Sequence, residues 1–493
     1  MLRKIRIALA TVMLLGITWL FLDFTGTAHR LVGGLAKLQL LEAVLALNFI
    51  VIAFLLVLTL LCGRIYCSVI CPLGIMQDIF GWLGKRAKKN RYTYSRAKNW
   101  LRTFFFIAMF LAILLGMSTV VQLLAPYSAF GRIATNLLQP VYQAGNNVLA
   151  SIAERSDSYA FYQSEIWLRS GVSLIIAGVT LVTLGVLAWR NGRTYCNTIC
   201  PVGTLLGMLS RFSFLKMQFD TEKCRNCSLC TKNCKASCID FKTHTVDATR
   251  CVVCGDCIES CKFGALSYSG KRSEVRGEKS EVKGKSEERR SFLLSSALLA
   301  TAALAQDKKK VDGGLAEIQD KVAPTRQTPL TPPGSLSAKN MAQRCTGCQL
   351  CISECPNQVL RPSDNLMHLM QPVMSYERGY CRPECNRCSQ VCPAGAILPI
   401  KKEVKASTQI GHAVWIKKNC IPLTDSVECG NCARHCPTGA IEMVPSDPDD
   451  EESAYVPAVN EARCIGCGAC ENLCPARPYS AIYVEGHEVH KEN

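Results

Sequence analysis

The spacing of its cysteines constrains this chain more than any other feature of its sequence. Thirty of the 493 residues are cysteines, and six runs hold four cysteines each. A disulfide-rich secreted scaffold is usually a short chain, so metal or cluster ligation is the better interpretation here. The first two runs are Cys224-x2-Cys227-x2-Cys230-x3-Cys234 and Cys251-x2-Cys254-x2-Cys257-x3-Cys261.

Four further runs, each followed by proline, fill residues 341–486. They are Cys345-x2-Cys348-x2-Cys351-x3-Cys355, Cys381-x3-Cys385-x2-Cys388-x3-Cys392, Cys420-x8-Cys429-x2-Cys432-x3-Cys436 and Cys464-x2-Cys467-x2-Cys470-x3-Cys474. This spacing is typical of bacterial ferredoxins, in which three cysteines of a run bind one [4Fe-4S] cluster and a partner run supplies the fourth ligand. The sequence therefore predicts six [4Fe-4S] clusters. Zinc is the competing metal, but zinc sites do not require this repeated run.

The fourth ligand is less certain in the first two runs. We expect Cys261 to complete the first ligand set and Cys234 to complete the second. The proline that usually follows is replaced by Lys235 and Lys262. Cys238 is therefore an alternative to Cys234, although a spare cysteine usually serves as a small apolar residue.

Four apolar segments in the first 200 residues are each long enough to cross a bilayer of about 30 Å. They cover residues 5–22, 41–61, 103–124 and 168–189. Four buried core helices are the alternative, which fits runs of this length poorly. Lys and Arg gather beside these segments, which predicts a cytoplasmic N-terminus. These flanking Lys and Arg residues explain the net charge of +17. The sequence shows no basic face with interspersed aromatic residues, so a nucleic-acid partner is not expected.

One motif occurs twice, at the predicted cytoplasmic ends of the second and fourth segments. It reads GRIYCSVICPLG at residues 63–74 and GRTYCNTICPVG at residues 192–203. Cysteines four residues apart share a helix face, so a two-fold-related repeat would bring four thiols together. They would hold a cluster or a soft metal such as copper, or act as redox dithiols; helix packing is the alternative. The four are Cys67, Cys71, Cys196 and Cys200. Arg64 and Arg193 are expected to anchor at lipid headgroups.

Residues 289–306, RRSFLLSSALLATAALAQ, have the form of an export signal: two arginines, a modest apolar stretch and a small-residue end. A short fifth membrane helix is the alternative. The twin-arginine route carries folded cargo, which suits a cluster-bearing domain that follows. A charged linker at 269–288 precedes this segment, and a linker rich in Lys, Pro and Thr at 307–340 follows it.

We therefore expect a multi-domain protein with a four-helix membrane bundle and two α+β polyferredoxin domains. The membrane domain covers residues 1–210, a cytoplasmic two-cluster domain covers 211–268, and a periplasmic four-cluster domain covers 341–493. The sequence shows no nucleotide-binding glycine loop, flavin fingerprint or haem-attaching CxxCH motif. Electron transfer, rather than catalysis on a large substrate, is the expected activity.

Ionisable residues at membrane depth are candidates for handling quinol protons. Asp23, His29 and Glu42 lie at the outward ends of the first two segments, and they are the weak candidates for a quinol site. At an interface such groups are more often simply solvated.

These motifs together resemble a known pair of proteins. Residues 1–268, with the repeated thiol motif and two ferredoxin runs, resemble NapH, the membrane quinol dehydrogenase subunit of periplasmic nitrate reductase systems. Residues 285–490, with the twin-arginine segment and four runs, resemble its periplasmic partner NapG. The chain thus resembles a NapH–NapG fusion, and its membrane module is also similar to those of NosR and CcoG. The first two ferredoxin runs depart from the usual pattern by lacking proline.

The resemblance implies a quinol dehydrogenase component in the bacterial inner membrane. It would pass electrons from the quinone pool to a periplasmic reductase or cytochrome of nitrate or nitrous-oxide type anaerobic respiration. It also implies that the first of the last four runs exchanges its final ligand with the fourth, and the second with the third. A copper-handling or redox assembly factor and a relay from a cytoplasmic ferredoxin are the alternatives.

Overall fold

The computed structural model describes residues 2–87, 92–156, 161–270 and 319–492. The expected export signal at 289–306 and nearly all of the charged linker before it lie outside these residues. The described part comprises a helical domain and two smaller domains built of short helices and two-stranded sheets.

The first 210 residues are helical because they are apolar over long stretches and contain few strand-forming alternations. Two helices, α1 and α12, are long and apolar enough to cross a membrane, and α5, α8 and α14 are shorter apolar helices. The helices are α1 (Leu2–Leu22), α2 (Thr27–Val32), α3 (Gly34–Lys37), α4 (Leu40–Leu45), α5 (Phe49–Cys62), α6 (Tyr66–Val69), α7 (Pro72–Arg86), α8 (Asn99–Leu114), α9 (Ser118–Leu124), α10 (Pro126–Ile133), a π-helix (Ala134–Leu138), α11 (Gln139–Glu154), α12 (Gly171–Asn191), α13 (Thr194–Thr198) and α14 (Pro201–Ser210).

Two of the four expected spans are interrupted. The second breaks at Leu47, which has a positive φ of 54°, and Asn48 then accepts a hydrogen bond from the backbone N–H of Val51 to begin α5. The third breaks at Gly116, whose φ is 70°. Hydropathy alone does not detect such breaks, because the residues on both sides remain apolar. Of the four expected continuous spans, only the first and fourth therefore correspond to single helices of spanning length, α1 and α12.

The two copies of the thiol motif fold alike. In each copy an apolar helix ends at a glycine with positive φ, a short helix follows, and a proline begins a third helix. Proline is favoured at a first helical position because its missing N–H would be unpaired there anyway. The third helix of each copy packs against the first helix of the other, α7 on α12 and α14 on α5. This crossed packing relates the copies by an approximate two-fold axis.

The first ferredoxin domain follows directly. Its outer sheet pairs β1 with β4 in antiparallel register, Lys216 opposite Ser269, and a second small sheet pairs β2 with β3. Two one-turn helices pack together between these sheets. The elements are β1 (Lys216–Phe219), α15 (Leu229–Asn233), β2 (Ile239–Asp240), β3 (Thr245–Val246), α16 (Asp256–Ser260) and β4 (Leu266–Ser269).

The second ferredoxin domain covers residues 319–492. Residues 319–337, which precede its first helix, pack against the domain: Arg326 is paired with Glu471 at 2.6 Å, and Leu330 is buried. Three antiparallel sheets pair β5 with β6, β7 with β10, and β8 with β9. The elements are α17 (Ala338–Arg344), α18 (Leu350–Ser353), β5 (Leu360–Pro362), a 3-10 helix (Leu366–His368), β6 (Pro372–Met374), α19 (Arg387–Val391), α20 (Lys402–Ser407), β7 (Thr408–Trp415), a 3-10 helix (Lys417–Asn419), α21 (Ile421–Thr424), α22 (Asn431–Arg434), β8 (Ile441–Asp447), β9 (Asp450–Val459), α23 (Ala469–Leu473) and β10 (Ile482–Glu492).

The two ferredoxin domains contact opposite ends of the same long helices. At the start of α1, Arg3 is paired with Asp256 at 2.9 Å, and just after α12 the backbone N–H of Arg193 donates to Lys235 at 2.8 Å. At the other end of α12, Ser170 donates to Asp364 of the second domain at 2.5 Å. A helix of 21 residues is about 30 Å long. The two domains are therefore separated by about the apolar thickness of a bilayer.

Candidate functional site

The first ferredoxin domain gathers its cysteines into the two predicted sets. Each set surrounds its own small cavity, and each contains three cysteines of one run and the last cysteine of the other. The first set is Cys224, Cys227, Cys230 and Cys261. The second set is Cys234, Cys251, Cys254 and Cys257. Reciprocal exchange of the fourth ligand is the geometry that two adjacent [4Fe-4S] clusters require.

Cys238 lines the same cavity as the second set. Its sulfur lies 3.6 Å from that of Cys234, and it also hydrogen-bonds Cys251. The hydrogen bond with Cys238 lowers the pKa of Cys234 to about 7, against the opposing effect of burial. Cys238 is thus positioned to support two ligand sulfurs as a hydrogen-bond partner, a role that outer residues commonly play at metal sites.

Replacing Cys238 by Ser is expected to leave the iron content per chain unchanged, because the hydroxyl can still donate a hydrogen bond to a ligand sulfur. Cys234→Ser, the matched variant, should lose one cluster from this domain. Iron analysis and EPR of the reduced full-length protein measure both effects. If Cys238→Ser lost a cluster and Cys234→Ser kept its full iron content, Cys238 would be the fourth ligand instead.

The second ferredoxin domain pairs its runs differently from the resemblance. Cys392 of the second run completes the cavity lined by the first run, and Cys474 of the fourth run completes that of the third. Cys355 lies beside Cys381 and Cys388, and Cys436 lies beside Cys464 and Cys467.

The exchange therefore joins run one with run two and run three with run four, and the pairing of one with four and two with three is wrong. The reason is local packing. The short helix of the first run, α18, packs against that of the second, α19, and α22 packs against α23 in the same way. Each neighbouring pair of runs thus forms its own two-cluster unit.

These cysteine sets fit [4Fe-4S] clusters. Six sets of four thiols result, each drawing three sulfurs from one run and one from its partner. Across the described ranges, no group of three or more His, Cys, Asp or Glu side chains is arranged to hold a single metal ion. When bound, a [4Fe-4S] cluster accepts and donates one electron at a time.

The repeated motif brings its four thiols together in the core of the helical domain. Cys67, Cys71, Cys196 and Cys200 are all buried, and each lies within electrostatic range of the others. Gln77 donates to the sulfur of Cys196 at 3.3 Å. The sequence predicted this convergence from the two-fold repeat, and the structure places the four side chains accordingly.

The motif arginines cross between the two copies. Arg64 of the first copy donates to the carbonyl oxygen of Cys196 at 3.2 Å and lies 3.8 Å from the sulfur of Cys67. Arg193 of the second copy donates to the carbonyl oxygen of Cys67. Both are at most 1% exposed, so the expectation that they anchor at lipid headgroups is wrong. Their positions follow from the crossed packing, which a single sequence does not reveal.

The surroundings of the thiols suit an anionic group. Among the described residues, Nε of Arg64 and Nη2 of Arg193 are buried without a hydrogen-bond partner. An unpaired buried guanidinium nitrogen is costly unless a negative charge lies nearby. Asp78 supplies such a charge to Arg193, and thiolates bound to a metal or cluster would supply one to Arg64.

Two glycines leave room for this arrangement. A Cβ on Gly74 would lie 2.2 Å from the carbonyl oxygen of Cys67 in the same copy and 2.8 Å from Nη1 of Arg193 in the other. A Cβ on Gly203 would lie 2.3 Å from the carbonyl oxygen of Cys196 and 2.9 Å from Nη2 of Arg64. We expect Gly74→Ala and Gly203→Ala each to destabilise the helical domain by about 1–3 kcal/mol through overpacking. Gly178→Ala on α12 is the control, because nothing lies within 4 Å of its Cβ. Thermal unfolding in detergent measures the difference. Equal midpoints for all three variants would refute the tight packing around Gly74 and Gly203.

A buried arginine connects the thiol region with the second ferredoxin domain. Arg132, on α10, is fully buried and interacts electrostatically with Tyr195 of the second motif copy and with Cys348. Tyr195 lies beside Cys200. Arg132 was not among the residues predicted from the sequence, although an arginine within an otherwise apolar stretch was the available signal.

The residues predicted for quinol chemistry occupy different settings at the end of the helical domain that contacts the second ferredoxin domain. Asp23 accepts hydrogen bonds from the backbone of Thr25 and Ala28 at 2.8 and 2.7 Å, which stabilises the turn after α1. His29 hydrogen-bonds the backbone of Gln390 in the second ferredoxin domain. Glu42 is 1% exposed and lies within electrostatic range of Tyr66, Tyr127 and Cys348. The structure does not bring the three into one site.

Comparison with known proteins supports the cluster assignment. A family model for a 4Fe-4S binding domain matches residues 44–91 and 171–219, the two copies of the thiol motif with their flanking helices. A model for a 4Fe-4S dicluster domain matches residues 344–410 and 427–477. The second pair of matches divides the last four runs into one with two and three with four, as the structure does.

Several curated proteins are similar to about a third of the chain. The ferredoxin-type protein MauM of Methylobacillus flagellatus is 29% identical over 33% of this chain and 70% of its own length. The ferredoxin-type proteins NapF and NapG of Escherichia coli are 29% and 26% identical over 32% and 34% of this chain, and over 87% and 78% of their own lengths. MauN of Paracoccus denitrificans is 29% identical over 35% of this chain, which spans 48% of that protein.

The cysteine sets, the family models and these relatives agree on one conclusion. This chain is an iron–sulfur, ferredoxin-type electron-transfer protein related to the Nap and Mau ferredoxins.

Proposed function

We propose that this protein is a membrane-bound quinol dehydrogenase component, organised like a NapH–NapG fusion. It would take electrons from the quinone pool and deliver them to a periplasmic reductase or cytochrome of nitrate or nitrous-oxide type respiration. The observation that supports this best is the position of the four motif thiols. They lie between two ferredoxin domains that contact opposite ends of α1 and α12.

The proposed orientation places the N-terminus and the first ferredoxin domain in the cytoplasm and the second ferredoxin domain in the periplasm. Arg3, Lys4 and Arg6 begin α1, and positive residues favour the cytoplasmic side. The exposed apolar side chains of α1 and α12, such as Leu15 and Val179, would face lipid. The twin-arginine segment at 289–306 would export the second domain after its clusters are bound.

The motif thiols would hold a further redox group midway. On the first-domain side, Arg64 contacts Cys67 and also donates to the carbonyl oxygen of Thr249, two residues before Cys251. On the other side, Arg132 lies beside both Tyr195 and Cys348. A hydrogen bond therefore links the motif to the first domain next to Cys251, and Arg132 lies within electrostatic range of both a motif tyrosine and a candidate ligand of the second domain.

The proposal is tested with the full-length protein in sealed proteoliposomes. A membrane quinol should reduce the clusters of the second ferredoxin domain, monitored by EPR, without any other donor. Failure of quinol to reduce any cluster would overturn the proposal.

A relay from a cytoplasmic ferredoxin is the second candidate. It is favoured by the direct docking of the first ferredoxin domain onto the thiol motifs through Arg64 and Asn197. Reduced ferredoxin added to the same proteoliposomes distinguishes the two functions. Reduction by ferredoxin and not by quinol would establish this candidate instead.

A further inference from the structure

A cavity of about 650 Å³ lies where α1, α7 and the first ferredoxin domain meet. One part of its wall is apolar and is formed by α1 and α7, with Ile7, Ile79 and Trp82 among the exposed side chains. Because these side chains also face outward, the apolar part is open toward the region that lipid would occupy.

The other part of the cavity is charged and tightly paired. Asp78, on α7, is paired with Arg6 at 2.8 Å, with Arg193 at 2.8 Å and with Lys235 at 3.0 Å. Lys235 is also paired with Asp256 at 3.2 Å. Arg6 is 7% exposed, and its Nε has no hydrogen-bond partner among the described residues. The cavity therefore has a polar end that is fixed by ion pairs.

This polar end lies at the junction of two redox sites. Lys235 follows Cys234 directly in sequence and interacts electrostatically with Cys254. Arg193 contacts Asp78 through Nε and the backbone of Cys67 through Nη1. A molecule bound against Asp78 would thus neighbour the second ligand set of the first ferredoxin domain and the motif thiols together.

We propose that this cavity binds the head group of a lipid-soluble quinol, with its isoprenoid chain along α1 and α7. The site deepens the function proposed above and rests on it. The apolar wall suits the chain, Asp78 can accept a hydrogen bond from a quinol hydroxyl, and Arg6 can donate one to a quinone oxygen. An anionic phospholipid also has apolar chains and an affinity for cations. It exchanges no electrons, however, so its binding would not require a position beside two cysteine sets.

Both O–H bonds of one quinol break, giving one quinone, two protons and two electrons. The two electrons would leave one at a time, the first to the [4Fe-4S] cluster that Cys234, Cys251, Cys254 and Cys257 would hold and the second to the redox group proposed at the motif thiols or to the same cluster once it has passed its electron on. The protons leave to water through the polar mouth, where Asp256 and Glu259 line the cavity. This places quinol at the opposite end of α1 from Asp23, His29 and Glu42.

Two neighbouring positions on α1 provide a matched test. Thr11 lines the cavity and Val12 does not, while both are exposed. In Thr11→Phe the ring would fill the space for the head group or its chain. We expect the apparent affinity for a short-chain ubiquinone to fall at least about tenfold, and Val12→Phe to match the wild type.

Binding is measured by quenching of tryptophan fluorescence in the full-length protein, since Trp82 lines the cavity. Trp82→Phe should remove most of the saturable quenching, whereas Trp100→Phe should not. If Thr11→Phe and Val12→Phe had equal quinone affinity and quinol still reduced the clusters, this cavity would not be the quinol site. The proposed function would still stand. If Thr11→Phe lost co-purifying anionic phospholipid but kept its quinone affinity, the cavity would be a lipid site and the quinol proposal would be overturned.

Discussion

In a protein carrying Cys67→Ser and Cys196→Ser, quinol should no longer reduce the clusters of the second ferredoxin domain. The two substitutions remove one sulfur from each copy of the thiol motif, at positions whose side chains lie in one buried set. Substituting residues outside the immediate ligands of a metal site already costs about 10–100-fold in affinity or activity. If the motif thiols hold the proposed redox group, losing two of them should lower the rate by at least about 100-fold.

The control is Cys62→Ser, which changes a cysteine at the end of α5 that lies outside the four-thiol set. Iron analysis provides a second measurement: the double variant should lose iron relative to Cys62→Ser if the thiols hold a cluster. The first ferredoxin domain should still be reduced by quinol, because its own ligands are intact. Unchanged reduction of the second domain would show that the motif thiols are not on the route.

Replacing Asp78 by Ala should be the most destabilising single substitution among the charged residues discussed. The carboxylate is paired with Arg6, Arg193 and Lys235, and the side chain of Arg193 is fully buried. Removing one partner of a buried ion pair leaves its counter-charges uncompensated, which costs about 3–5 kcal/mol. Here three cations share one carboxylate, so we expect the upper part of that range.

Thermal unfolding of the full-length protein in detergent measures this effect. Asp220→Ala is the control, because Asp220 forms an exposed pair with Lys223 and should change the midpoint little. Asp78→Asn should be intermediate, since the amide oxygen can still accept one hydrogen bond. Equal midpoints for Asp78→Ala and Asp220→Ala would mean that the three cations do not depend on Asp78.

The cluster ligand sets were largely predictable because their signal is local. Three cysteines at spacings of two residues fix one loop, so Cys224, Cys227 and Cys230 could be grouped from the sequence alone. The partner that supplies the fourth ligand depends on which short helices pack together. That is a tertiary property, and the prediction for the last four runs was wrong for this reason.

The convergence of the motif thiols was predictable from the repeat, whereas its surroundings were not. Arg64 and Arg193 lie at the ends of apolar segments, which is also where lipid-anchoring arginines lie. Only the crossed packing of α7 on α12 and α14 on α5 shows that they turn inward. The same packing brings Asp78 to Arg193 from 115 residues away, a pairing that no local pattern contains.

The breaks in the apolar segments were also invisible to hydropathy. Asn48 and Gly116 carried the available signals, a helix N-cap residue and a residue that readily takes a positive φ. Both lie inside stretches whose mean hydropathy remains high. The charged cavity between α1, α7 and the first ferredoxin domain combines residues from four separate parts of the chain, and could not be assembled from spacing.

The most direct test of the whole account is the accessibility of the two ferredoxin domains to trypsin in intact spheroplasts. We predict that peptides from residues 319–492 are released from intact spheroplasts, while peptides from residues 216–270 appear only after lysis. Release of both sets without lysis, or protection of both until lysis, would place the two domains on the same side and contradict electron transfer across the membrane.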